Sequence, residues 1–117
     1  VLNNYAYYLS LRGEQLDKAK AMAEKATRLD PENASNMDTY GWVLYKLGEY
    51  EDALEWIGKA IDNHNQDNAE VLEHYGDVLF KLGREKEALK YWEKAKEAGE
   101  GGSEWLDKKV SDGKLYE

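Results

Sequence analysis

The stretch Tyr40-Gly41-Trp42-Val43-Leu44-Tyr45-Lys46-Leu47-Gly48 decides the fold, because its pattern occurs three times. It returns 35 residues later as Tyr75-Gly76-Asp77-Val78-Leu79-Phe80-Lys81-Leu82-Gly83, and stands 35 residues earlier as Tyr5-Ala6-Tyr7-Tyr8-Leu9-Ser10-Leu11-Arg12-Gly13. Leu2, Met37 and Leu72 keep the same step. A fixed period of this size marks a repeat array, whose units bury their apolar faces only by stacking on their neighbours.

Within each unit the apolar spacing is helical. Met37, Tyr40, Gly41 and Leu44 fall at i, i+3, i+4 and i+7, one stripe of a helix; Leu2, Tyr5, Ala6 and Leu9 and then Leu72, Tyr75, Gly76 and Leu79 repeat it. Gly13, Gly48 and Gly83 follow as helix stops, since glycine tolerates the left-handed conformation that ends a helix. A second stripe comes after each glycine: Ala19, Met22, Ala23 and Ala26; Ala53, Trp56, Ile57 and Ala60; Ala88, Tyr91, Trp92 and Ala95. The small alanines let two antiparallel helices approach closely, and the bulky residues between them fill the gap. Length differences between units fall in the turns, where insertions do not rotate a stripe off the core.

The unit is therefore helix, turn, helix, with boundaries expected at 1–33, 34–68 and 69–102. Asn68 is placed to cap the first helix of the third unit. Gly99-Glu100-Gly101-Gly102 breaks the chain, and Ser103 is expected to cap a seventh helix over 103–112. Leu106 and Val110 form its apolar side and Asp107, Lys108 and Lys109 its polar side. Such a half-unit shields the last core face from water. Residues 113–117 form a tail that packs on this helix or fills a groove. Val1 stands only one residue ahead of Leu2, so the first helix reads as cut, with more protein upstream. Its bare face would expose Tyr5, Tyr8 and Leu9 and favour self-association.

The pattern resembles the tetratricopeptide repeat, with its period of about 34 residues and its Trp-x2-Leu-Gly-x2-Tyr, Ala-x3-Phe and Pro signature. The matches are Met37-x2-Tyr40-Gly41-x2-Leu44 with Ala53-x3-Ile57, and Leu72-x2-Tyr75-Gly76-x2-Leu79 with Ala88-x3-Trp92. The first unit gives Leu2-x2-Tyr5-Ala6-x2-Leu9, Ala19-x3-Ala23 and Pro31. The resemblance covers residues 1 to 98. It implies an all-α, right-handed solenoid of seven helices. The Tyr40–Gly48 stretch is similar to bacterial members, some attached to the cell envelope on its periplasmic side.

In that family the first helices line a concave groove that holds an extended or helical peptide. Phase places Asn3, Tyr7 and Ser10, then Asp38, Trp42 and Tyr45, then Glu73, Asp77 and Phe80 on that face, with Lys46 and Lys81 at its border. Trp42 is the expected anchor, because its counterparts Tyr7 and Asp77 differ in kind and exposed aromatics favour binding. Tyr45 and Phe80 serve equally well as inter-repeat core. The three acids beside them predict a partner with apolar and basic side chains, and disfavour clamping of a peptide's terminal carboxylate.

Composition narrows the functions further. The 117 residues carry 24 acids against 16 Lys and Arg, a net charge of -8, which opposes binding to nucleic acid and to anionic membrane. No apolar run reaches the roughly 18 residues a membrane span needs. With no cysteine there is no thiol chemistry and no Cys-based zinc site. His64 and His74 form no metal motif. Asn63, Asn65 and Asp67 alternate like the start of a calcium loop, but Asn68 and His74 stand where glycine and a bidentate Glu are needed. No nucleophile, base or cofactor set converges. Sequence therefore predicts a non-catalytic, cofactor-free scaffold or adaptor module, with a spacer or oligomerisation element as the alternative.

Overall fold

The computed structural model describes residues 15–63 and 68–117. Six helices lie among the described residues: α1 (Leu16–Leu29), α2 (Ala34–Lys46), α3 (Tyr50–Asp62), α4 (Ala69–Lys81), α5 (Glu85–Glu97) and α6 (Leu106–Asp112). The first of the seven expected helices falls in residues 1–14, outside the described residues, as do Asn3, Tyr7, Ser10 and the bare face around Tyr5, Tyr8 and Leu9. Most of the calcium-like stretch lies in 64–67, also outside them. No helix among the described residues is long and apolar enough to cross a membrane.

The two complete hairpins are built by the same local devices. Asn33 and Asn68 cap α2 and α4, their side-chain oxygens accepting from Asn36 N–H at 3.0 Å and Val71 N–H at 3.2 Å. Both helices end on a left-handed glycine, Gly48 (φ 82) and Gly83 (φ 81). The N–H after each glycine reaches back to the carbonyl of Leu44 or Leu79 at 2.9 Å, and the glycine N–H to that of Tyr45 or Phe80 at 3.0 Å. These paired bonds satisfy carbonyls the helix end leaves free. α3 and α5 have no side-chain cap bond; Glu51, Asp52, Glu85 and Glu87 in their first turns complement the helix dipole instead.

Within each hairpin the backbones come close because glycine faces the partner helix. A Cβ built on Gly41 would meet Ile57 Cγ1 at 2.5 Å, and one on Gly76 would meet Trp92 Cδ1 at 2.5 Å. Ala53 and Ala60 on α3, and Ala88 and Ala95 on α5, are fully buried on the opposing faces. Glycine at Gly41 and Gly76 is thus a steric requirement of the two hairpins.

Stacking closes the core. Met37, Tyr40, Val43 and Leu44 pack with Ala19 and Ala23 of α1, Ile57 of α3 and Val71 and Val78 of α4. Leu72, Leu79, Ala88, Trp92 and Ala95 form a second cluster closed by Leu106 of α6. α6 therefore lies against the last hairpin through Leu106. It starts later than expected, at Leu106, with Ser103 accepting from Trp105 N–H at 3.2 Å. The main bonds of Ser103 go to α4 instead: its N–H donates to Glu73 Oε1 at 2.6 Å and its hydroxyl to Glu73 Oε2.

Candidate functional site

The first helices of successive units, α2, α4 and α6, are joined by buried acid–base contacts. At the α2–α4 joint, His74 Nδ1 lies 3.1 and 3.2 Å from the two oxygens of Asp38, and both residues are buried. Burial pushes the imidazole pKa down, but the adjacent Asp38 charge and hydrogen bond overrule it and the net shift is upward. An Nδ1–H then donates to Asp38.

At the α4–α6 joint, Lys109 is 2 % exposed and its Nζ donates to Glu73 Oε2 at 2.6 Å and Asp77 Oδ1 at 2.8 Å. Asp77 Oδ1 also accepts from Trp92 Nε1 at 3.0 Å. Burial raises the Asp77 carboxyl to about 6, with Lys109 only partly offsetting it. Burial likewise acts upward on Glu73, but its bonds from Lys109 and Ser103 outweigh that, and its pKa is lowered.

Between the joints lies a hollow of about 290 Å³, lined by Trp42, Lys46, His74, Trp105, Lys109, Tyr116 and Glu117 among others. Trp42 is sandwiched: its ring stacks on Tyr45 at 4.8 Å and 17° and on His74 at 4.0 Å and 20°. Lys46 Nζ stands 5.1 Å from the Trp42 ring, within cation–π range. Trp42 Nε1 is buried and has no hydrogen-bond acceptor among the described residues. Leaving such a donor unpaired costs roughly 1–3 kcal/mol. The Tyr45 hydroxyl donates to Glu117.

These positions revise several expectations. Trp42 is not an exposed anchor; it is 7 % exposed and belongs to the first core cluster, because the neighbouring unit supplies His74 as a second stacking surface. Tyr45 is buried with it. Asp38, Glu73 and Asp77 do not stand open in a groove. Their charges are spent on His74 and Lys109, so they are not free to select basic side chains on a partner. Phe80 is half-buried and stacks on Trp92 at 5.8 Å, outside the hollow. Lys46 is exposed at the rim, whereas Lys81 is exposed elsewhere.

His74 is a buried strut that also lines the hollow. Lys109, expected on the polar side of the cap, is another. A signal for both stood in the sequence: the 35-residue step carries Asp38 onto Glu73 and His74 onto Lys109, so the two acid–base pairs are one pair repeated. Trp105, 36 % exposed and lining the hollow, was also missed. It lies beyond the three repeats and has no counterpart in phase. No group of three or more His, Asp or Glu residues is arranged to hold a metal among the described residues.

Comparison with solved structures returns tetratricopeptide-repeat proteins. The Sgt2 TPR domain from Aspergillus fumigatus superposes with a TM-score of 0.84 at 21% identity, over 96% of this chain and 74% of that one. The first TPR of Spaghetti (RPAP3), bound to the HSP90 peptide SRMEEVD, gives 0.83 at 18% identity, over 97% of this chain and 87% of that one. YrrB, a TPR protein described as having an unusual peptide-binding site, gives 0.71 at 31% identity, over 85% of this chain and 50% of that one. Curated protein sequences give no significant match. The family model described as "Anaphase-promoting complex, cyclosome, subunit 3" matches residues 13–95, most of the chain. The repeat signature, the stacked hairpins and this match agree: the chain belongs to that family of tetratricopeptide-repeat, protein-interaction modules.

Proposed function

We propose that the chain is a non-catalytic module that holds a peptide, or an extended segment of a partner protein, on the face formed by α2, α4 and α6. The observation that carries this reading is the hollow beside Trp42, whose indole N–H is buried without an acceptor. A folded chain gains nothing from an unsatisfied donor, whereas a ligand that supplies a carbonyl or carboxylate there recovers its cost. The ligand's apolar side chain takes the space against Trp42 and Trp105, and Lys46 offers a charge at the rim. Because buried struts hold α2, α4 and α6 in place, the ligand bears most of the ordering cost. Peptide binding by the Spaghetti domain and by YrrB supports the reading by analogy of fold.

The test is a random peptide library panned against the protein, followed by titration of selected peptides while the Trp42 indole N–H signal is followed by NMR. Selected peptides should move that signal at saturation. Peptides that bind and leave it in place, or a library that yields no binder, would favour the alternative of a spacer or oligomerisation element.

A further inference from the structure

This inference rests on the binding reading above and concerns what the site recognises and how access to it is controlled. After α6 the chain turns at Gly113, whose φ of 65 lies in the left-handed region and whose N–H bonds to the Lys109 carbonyl at 2.8 Å. Leu115 then packs against the second core cluster. Tyr116 stacks on Trp105 at 6.2 Å and 23°, and its hydroxyl donates to Asp112 at 2.6 Å. The carboxylate of Glu117 reaches α2 and accepts from the Tyr45 hydroxyl. Tyr116 and Glu117 thereby become part of the lining of the hollow, spanning from α6 to α2.

The occupancy is incomplete. Trp42 Nε1 still lacks an acceptor and about 290 Å³ stays open. Glu117 is itself exposed, so its hold on Tyr45 is open to competition. We propose that residues 113–117 are an intramolecular occupant of the groove. The partner segment has the same order of chemistry: an apolar residue, an aromatic one, then an acidic one. It displaces Tyr116 from Trp105 and Glu117 from Tyr45, and supplies the acceptor that Trp42 lacks. A tethered occupant acts at an effective concentration of about 1 mM for a short linker, so an intrinsic dissociation constant near 100 µM weakens a competitor roughly tenfold.

The probe is the acetylated, amidated peptide Gly-Lys-Leu-Tyr-Glu carrying a fluorophore, titrated into the native chain and into Tyr116→Ala/Glu117→Ala. Fluorescence anisotropy gives the affinity and NMR follows the Trp42 indole signal, with circular dichroism confirming unchanged helix content. The double variant should bind the probe about tenfold more tightly than the native chain, Glu117→Ala should fall between, and binding should move the Trp42 signal of the double variant, whose hollow the probe refills. Equal affinities, no binding to the double variant, or binding to it with an unmoved Trp42 signal would overturn the proposal. The library-selected peptides separate the two readings. One that moves the Trp42 signal with equal affinity for the native chain and the double variant removes the occupant and leaves the binding site. If no selected peptide moves that signal, both readings fall.

Discussion

The α2–α4 and α4–α6 joints solve the same problem with the same spacing, an acid on one helix and its partner 36 residues later. They solve it differently. At α4–α6 the base is Lys109, which grips two carboxylates, while Asp77 also holds the Trp92 indole and every buried polar group named there is paired. At α2–α4 the base is the titratable His74, which grips one carboxylate and stacks on an indole left without an acceptor. The first arrangement suits a permanent seal. The second keeps an unfilled bond at the edge of a hollow. The repeat scaffold thus fixes where polar partners meet, and the residue types at those positions decide whether a joint pairs all its polar groups or leaves one open.

The largest effect should come from breaking the closed joint. Lys109→Ala strands Glu73 and Asp77 in the interior, and losing one partner of a buried ion pair costs roughly 3–5 kcal/mol. His74→Ala strands only Asp38 and should cost less. Denaturant midpoints with unchanged slopes check both; equal losses would erase the contrast between the joints.

Trp42→Ala comes next, at about 3 kcal/mol, since a buried indole is replaced by a cavity. An exposed anchor could be removed without loss of stability; the sandwich with Tyr45 and His74 predicts a clear loss of melting temperature. A Trp42→Ala protein as stable as the native chain would place the ring outside the core.

A smaller effect is expected on changing pH. His74 has a folded pKa above its ordinary 6.5, so its stabilisation is complete below 6.5 and is lost as pH rises through the folded value. Asp77, raised from 3.8 to about 6, contributes stability that is present below 3.8 and lost as pH rises through about 6. Glu73 is lowered from 4.5 and acts in the opposite sense, its contribution being lost only as pH falls below 4.5. At pH 5.5 the His74 and Glu73 contributions are in place and part of that of Asp77 is. The melting temperature should therefore be higher at pH 5.5 than at pH 8 by about 4 °C, the shift that roughly 1 kcal/mol gives in a domain of this size. Asp77→Asn should shrink the difference; a native chain more stable at pH 8 would contradict the assignment.

The fold was legible because its determinants are periodic. Tyr40, Gly41, Leu44 and Gly48 return as Tyr75, Gly76, Leu79 and Gly83, and each has a local physical role: core, close approach, core, helix stop. The site was legible only in part. Phase placed Trp42, Lys46 and Asp77 on one face, and all three line the hollow. Phase alone could not reveal how deeply the next unit covers that face, so Trp42 and the acids were expected in solvent. Lys109 was hidden because a lysine on a short capping helix reads as a solvated charge until it is aligned with His74. The contact of Glu117 with Tyr45 joins residues 72 apart in the chain and outside the repeat period, and nothing local announces it.

The central claim is that the unpaired indole N–H of Trp42 awaits a ligand's acceptor. Trp42→Phe tests it most directly, because it keeps a stacked ring and deletes the donor. With a peptide that moves the Trp42 signal in the native chain, Trp42→Phe should bind about fivefold more weakly, as expected for one hydrogen bond of roughly 1 kcal/mol, at nearly native melting temperature. Unchanged affinity in a stably folded Trp42→Phe protein would contradict the claim.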